Sequence, residues 1–228
     1  MGSGIAYVCA HQIADASVTV LEPSEKAVEQ AEKRWNKWEA KEQNAEDGAK
    51  SSLKLVDGWS GLSEKSFDVV IEAAAEDLTI KQDIFSRLHN VAKENAIISS
   101  NTSSLSITQI ARSVPVELRK NVIGLHFFNP PRSMQLVELI TAVESSEDVK
   151  KRAFHFCELL QKQVVVAADA PGFITSRLGI VLVNEATFAL QENLASAEDI
   201  DRAMKLGYNH PMGPLELADF IGLDVVFA

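Results

Sequence analysis

HFFNPPRSMQLVELI, residues 126–140, sets His126 and Glu138 at equal distances from Arg132, on either side of an Asn129-Pro130-Pro131 turn. The flanking segments, 122–128 and 135–140, are short, rich in β-branched, aromatic and aliphatic residues, and bounded by proline, which reads as two strands joined by a tight loop. Paired antiparallel, those strands make His126 and Glu138 cross-strand neighbours. A carboxylate on one imidazole nitrogen fixes the tautomer, directs the other nitrogen to accept a proton and stabilises the resulting imidazolium. The pattern is that of a general base with its orienter, against the plainer reading of a hydrogen-bonded structural histidine.

Outward from this hairpin, strands alternate with helical patterns. Residues 16–22 (ASVTVLE) read as a strand ending in Glu22, with Ser24 capping a charged helix over 25–46 that carries Trp35 and Trp38. That charge run is either a solvated face or a grip on a ligand. Residues 67–74 (FDVVIEAA) and 96–100 (AIISS) are apolar, β-rich runs of the kind buried in parallel sheets, with a helix over 78–92 between them and a short helix over 107–113 before the His126 strand. Such alternation predicts an α/β protein with a doubly wound parallel sheet, whose ligands sit at the carboxyl ends of the strands. Glu22, Ala75 and Glu76, Asn101 to Ser103, and His126 all fall at those ends. The texture changes at Asp169-Ala170-Pro171-Gly172, after which helices over 174–193 and 196–206 and from Pro214 dominate, so the reading is one domain over 1–168 and a smaller all-helical one over 169–228.

Composition bounds the function. The chain has 228 residues, 46% hydrophobic and 24% charged, enough to bury a real core. A formal net charge of −10 argues against nucleic acid and anionic membrane surfaces as partners, which demand a basic face. Cys9 and Cys157 read as reduced thiols packed as small core residues, and neither has a partner at metal-ligand spacing. Without a membrane-length apolar run or a signal-like start, the expected compartment is the cytoplasm.

The strings NTSSLSI (101–107), LHFFNP (125–130), LVELI (136–140), DAPGF (169–173) and LGYNHPMGPLELAD (206–219) occur in this order over essentially the whole chain. Together they resemble the L-3-hydroxyacyl-CoA dehydrogenase family, most of all its bacterial 3-hydroxybutyryl-CoA dehydrogenases. The resemblance implies a Rossmann-type NAD-binding domain followed by a helical domain, and NAD-dependent oxidation of L-3-hydroxyacyl-CoA to 3-oxoacyl-CoA, or the reverse, within fatty acid metabolism. It also implies His126 as general base, Glu138 as its partner and Ser103 as the serine that bonds substrate near the nicotinamide, where a helix cap is the competing role. Glu22 fits the acid that binds the adenosine ribose diol and disfavours a 2′-phosphate, hence NAD over NADP. Glu76, Lys81 and Asn129 match cofactor-lining residues, against readings as a capping acid, a surface lysine and a turn residue. Homodimerisation through the helical domain is implied as well.

Two departures accompany the resemblance. Ser176 stands where many members have a substrate-positioning asparagine. At the start, Met1-Gly2-Ser3-Gly4 matches the end of the family's Gly-rich loop, with Gly2 as the third glycine, so that the first strand and first two glycines are absent, and the helical domain is expected to be incomplete. These departures predict weak NAD binding and poor turnover for the chain as it stands, and keep a second class open: a non-catalytic relative retaining the fold as a binding or structural protein.

Overall fold

The computed structural model describes residues 1–42 and 52–226, so residues 43–46 of the charged run lie outside the described residues. The chain divides into two compact units, Met1–Pro171 and Gly172–Ala228.

The first unit opens with α1 (Gly2–Gln12), then β1 (Ser17–Leu21), α2 (Glu25–Glu42) and β2 (Ser52–Val56). It continues through β3 (Phe67–Glu72), α3 (Leu78–Val91), β4 (Ala92–Ser100), α4 (Ile107–Ala111) and β5 (Val122–Phe127), and closes with β6 (Leu136–Thr141), α5 (Glu147–Leu159) and β7 (Gln163–Ala168). The strands form two sheets. β1 pairs parallel with β2, and a five-stranded sheet has the order β3-β4-β5-β6-β7. β3, β4 and β5 are parallel, β6 runs antiparallel to β5, and β7 runs parallel to β6. The sheet is therefore mixed: parallel from β3 to β5, as the alternation predicts, and antiparallel at the hairpin, where the proline turn reverses the chain after β5 without a crossover helix. β2 and β7 do not stand out as strands in the sequence.

Every residue of β5 and most of β6 is buried, and side-chain alternation splits them between two faces. Ile123, Leu125, Phe127, Val137 and Leu139 turn to one core with Ile5, Val8 and Cys9 of α1 and Val149, Ala153, Phe156 and Cys157 of α5. Burying one such aliphatic or aromatic side chain is worth about 1.5–3 kcal/mol, so this face fixes the register. The other face carries Gly124, His126, Glu138 and Ile140. A Cβ at Gly124 would stand 2.9 Å from both Ile107 and Ile140, so only glycine lets α4 pack that closely. A second core joins Ala6 and Tyr7 of α1 to Ala31 and Trp35 of α2, with Val18, Val20, Leu53 and Leu55 of the two-stranded sheet against it. Both cysteines are free and buried, and burial pushes each thiol up to about 12, leaving them protonated and inert.

The second unit is helical: α6 (Thr175–Gln191), α7 (Ala197–Gly207), α8 (Pro214–Ile221) and the short α9 (Leu223–Val226). Ser196 caps α7 by accepting from the Asp199 N–H at 3.2 Å. The Asp201 carboxylate reaches across to accept from Leu215 and Glu216 N–H at 2.9 and 3.0 Å, satisfying the first amides of α8.

Candidate active site

His126 and Glu138 are directly opposed in the β5–β6 ladder. The imidazole Nδ1 lies 2.7 Å from Glu138 Oε2, with His126 6% and Glu138 1% exposed. A carboxylate so placed accepts from Nδ1–H, which fixes the tautomer and turns Nε2 into the basic nitrogen. The ring of Phe128, two residues on along the same face, packs at 4.6 Å and limits its rotation.

The carboxyl ends of β3 and β4 meet this pair through a dense polar network. Asn101 donates its N–H to the Glu72 carbonyl at 2.7 Å and accepts from the Phe127 N–H through its side-chain oxygen at 2.8 Å, stitching the loop after β4 to β5 one residue past His126. Buried Glu72 accepts from Lys81 Nζ at 2.9 and 3.1 Å, from the Ala74 N–H at 2.6 Å and from Ser100 Oγ at 2.6 Å. Lys81, 1% exposed, also reaches Glu76 Oε2 at 3.4 Å. The other oxygen of Glu76 gathers Thr102 Oγ1, the Ser103 and Ser104 N–H groups and Ser104 Oγ at 2.6, 2.8, 3.1 and 3.2 Å. Burial pushes the Glu76 carboxyl up, but these bonds and the Lys81 charge outweigh it and hold its pKa below the ordinary carboxylate range. Glu76 thus holds Ser103 in place, and the exposed side of that loop carries the Ser103 side chain.

Three local readings are corrected here. Ser103 is no helix cap, since Ser106 caps α4 by accepting from the Gln109 N–H. Asp77, not Glu76, caps α3 by accepting from the Ile80 N–H. Lys81 is no surface lysine; its ammonium is committed to two carboxylates. Sequence reading missed Glu72, although a single acid inside the apolar run FDVVIEAA was the available signal.

The residues read as cofactor-binding occupy the same rim or its continuation. Half-buried Glu22 follows β1, its N–H donates to the Val56 carbonyl, and its carboxylate accepts from the Ser24 N–H at 3.0 Å. Gly2 begins α1 where an added Cβ would meet Ala73 at an ordinary 3.6 Å, so packing there does not demand glycine. The closer approach is at Gly4, whose Cβ would stand 3.2 Å from the Pro131 ring. Asn129 is exposed at the start of the turn, with a cis peptide to Pro130. A helix N-terminus without acidic residues in its first turn, a carboxylate at the end of β1 and an exposed amide beside the imidazole strand fit the pyrophosphate, ribose diol and nicotinamide of a dinucleotide. Ser176 lies half-buried in the first turn of α6, in the second unit.

Residues 1–170 match the model of the 3-hydroxyacyl-CoA dehydrogenase NAD binding domain, and residues 172–228 that of the 3-hydroxyacyl-CoA dehydrogenase C-terminal domain. A 3-hydroxybutyryl-CoA dehydrogenase of Clostridioides difficile is 47% identical over 164 residues, 72% of this chain and 58% of that protein. A probable 3-hydroxybutyryl-CoA dehydrogenase of Bacillus subtilis is 38% identical over 98% of this chain and 78% of its own length. The crystal structure of (S)-3-hydroxybutyryl-CoA dehydrogenase from Ralstonia eutropha superposes with a TM-score of 0.88 at 36% identity, covering 100% of this chain and 81% of that one.

Proposed function

The chain belongs to the 3-hydroxyacyl-CoA dehydrogenase family, and from that membership we propose that it is an NAD-dependent oxidoreductase interconverting L-3-hydroxyacyl-CoA and 3-oxoacyl-CoA, with His126 as general base. The observation that carries this reading is the 2.7 Å contact between His126 Nδ1 and the enclosed Glu138 carboxylate. In the oxidative direction His126 Nε2 takes the proton of the 3-hydroxyl as the hydride leaves C3. Glu138 stabilises the imidazolium that forms, and in reduction the same nitrogen returns the proton. The bound nicotinamide supplies the hydride acceptor or donor. Ser103 would donate to the substrate oxygen from a loop that Glu76 holds, and Asn129 would lie next to the nicotinamide. Glu22 would accept from the ribose hydroxyls and the amides of Gly2 and Ser3 would hold the pyrophosphate of a bound dinucleotide, while Lys81 acts through the two carboxylates it neutralises.

Ser176 positions the acyl-CoA through its hydroxyl. The active form is a homodimer, for which the exposed apolar residues Leu178, Val181, Phe188 and Phe220 of the second unit supply suitable surface. Reduced, protonated thiols suit a cytoplasmic setting. The non-catalytic alternative is not favoured, because a binding protein has no use for a buried imidazole–carboxylate pair aimed at a cofactor rim. The test is NADH oxidation with acetoacetyl-CoA, and NAD reduction with L-3-hydroxybutyryl-CoA, in wild type and His126→Gln. Turnover that survives His126→Gln, or no turnover by wild type at saturating cofactor, would overturn the proposal.

A further inference from the structure

The turn that joins the two strands of the base pair is gripped from outside by a lysine that the reaction as described does not use. Residues 129–135 contain two consecutive prolines, which offer no N–H groups. The Pro130 carbonyl accepts from the Ser133 and Met134 N–H groups, both at 3.0 Å. The Pro131 and Met134 carbonyls instead accept from Lys162 Nζ, at 2.6 and 2.8 Å. Hydrogen bonds from an ammonium are shorter and about twice as strong as neutral ones, and two from a single nitrogen fix the separation of both carbonyls.

Lys162 is itself well anchored. It precedes β7, its N–H donates to the Cys157 carbonyl at 2.9 Å, and the next residue, Gln163, donates to the Gln135 carbonyl at 2.8 Å. Burial pushes its pKa down, the direction expected of a cation desolvated over neutral carbonyls. On the other side of the turn, the Arg132 guanidinium lies over the rings of Tyr7 and Trp38, at 5.1 and 4.9 Å from their centroids, and Pro131 abuts Gly4. The turn is therefore held between α1 and α2 on one side and the start of β7 on the other.

We propose that Lys162 is a positioning residue for the dehydrogenase reaction, acting by clamping the Asn129–Met134 turn so that Asn129 is presented at a fixed distance from His126. The inference rests on the dehydrogenase reading. It assigns Lys162 no contact with substrate and no proton transfer. His126 and Glu138 are aligned by the β5–β6 ladder itself, so the clamp governs the Asn129 side of the site and leaves the base unaltered.

The test compares wild type with Lys162→Met, which keeps the aliphatic stem, Lys162→Arg, which restores a cation with several donors, and Lys93→Met as an exposed-lysine control. Amide exchange in the absence of substrate should quicken in Lys162→Met at Ser133 and Met134 while Leu125, Phe127 and Leu139 stay protected. Because an ångström of misplacement costs on the order of a hundredfold in rate, kcat should fall about tenfold to a hundredfold, with the limb of the pH profile that reports the base unmoved. Lys162→Arg should recover much of both losses, and Lys93→Met should match wild type. Unchanged turn exchange, protection lost along β5 and β6 as well, or a shifted basic limb would each overturn the clamp. Exchange that behaves as expected in a wild type without turnover would instead sink the dehydrogenase reading, so the two failures are distinguishable.

Discussion

The five-stranded sheet and the two-stranded sheet of the first unit are built differently. In the larger one, β5 is enclosed along its whole length and packed on both faces; in the smaller one, four of the five β1 residues are only half-buried and β2 alternates between exposed and half-buried positions before ending on buried Val56. β1 and β3 each have one edge without a strand partner among the described residues. Two strands alone are marginal in water, so β1 and β2 depend on Tyr7, Ala31 and Trp35 of the neighbouring helices for their place. The difference matches the chemistry each part is asked to do. On the proposed reading, proton transfer needs a firmly held imidazole, and the ladder of the larger sheet would supply that. On the same reading Glu22, which follows β1 of the smaller sheet, would have only to meet two hydroxyls on a ligand that brings its own orientation.

The largest expected effect tests whether the rigid sheet is indeed the seat of the chemistry. Replacing His126 by Gln removes the base, and general base catalysis is worth about 10²–10⁴-fold. Glu138→Gln keeps the size of the side chain but offers an amide where a carboxylate accepted Nδ1–H, so it should cost a comparable factor in kcat while cofactor binding is retained. Steady-state kinetics with cofactor titration distinguish these. A Glu138→Gln enzyme within threefold of wild type would reduce the pair to a structural contact.

A second measurement weighs the ionic cluster at the end of β3 against the exposed pairs near β1. Lys81→Met strips the counter-charge from enclosed Glu72, and breaking a buried pair costs about 3–5 kcal/mol. Lys33→Met removes only an exposed pair with Glu29 at 3.6 Å on α2, where less than about 1 kcal/mol is at stake. Denaturant unfolding of both variants gives the comparison directly, and equal losses would mean that Glu72 finds water or another donor when Lys81 is gone.

Much of this contrast was legible in the chain. The hairpin, the pairing of His126 with Glu138 and the strand ends at Glu22, Ala75 and Asn101 follow from period-two patterning and proline placement, which are local. The partners of Lys81 were not legible, because a lysine four residues into an amphipathic helix looks the same whether it meets solvent or a carboxylate from the preceding strand. Lys162 was hidden likewise, since its two acceptors are backbone carbonyls 28 and 31 residues away in sequence. Residues 163–168, QVVVAA, and 52–56, SLKLV, each end at a breaker, Asp169-Ala170-Pro171-Gly172 and Asp57-Gly58, but runs of five or six residues are too short for their period alone to name the element.

Cofactor choice probes the looser sheet. Glu22→Gln should weaken NAD binding about tenfold, near 1.4 kcal/mol, and narrow the preference for NAD over NADP, because a neutral amide no longer repels a 2′-phosphate. Titration with both dinucleotides reads it. If NAD affinity and the preference are unchanged, the carboxylate serves only to bond the Ser24 N–H at the start of α2.

The smallest effect separates two acids four residues apart at the end of β3. Glu72 is enclosed, whereas the Glu76 side chain is 41% exposed, so solvent screens much of what it contributes. The Glu76 pKa is lower in the folded chain than in the unfolded one, held down against burial by Thr102, Ser103 and Lys81. A carboxylate depressed in this way stabilises the fold fully above its unfolded pKa and loses that contribution as pH falls through the folded value. Glu76→Gln should therefore lower stability at neutral pH, with a loss well below that of Lys81→Met, and the gap to wild type should close on acidification below the ordinary carboxylate range. Thermal melts from neutral to acid pH follow the gap. A gap that stays constant would mean that the substituted amide fails by geometry, not by charge, and that the Ser103 loop is held by bond count alone.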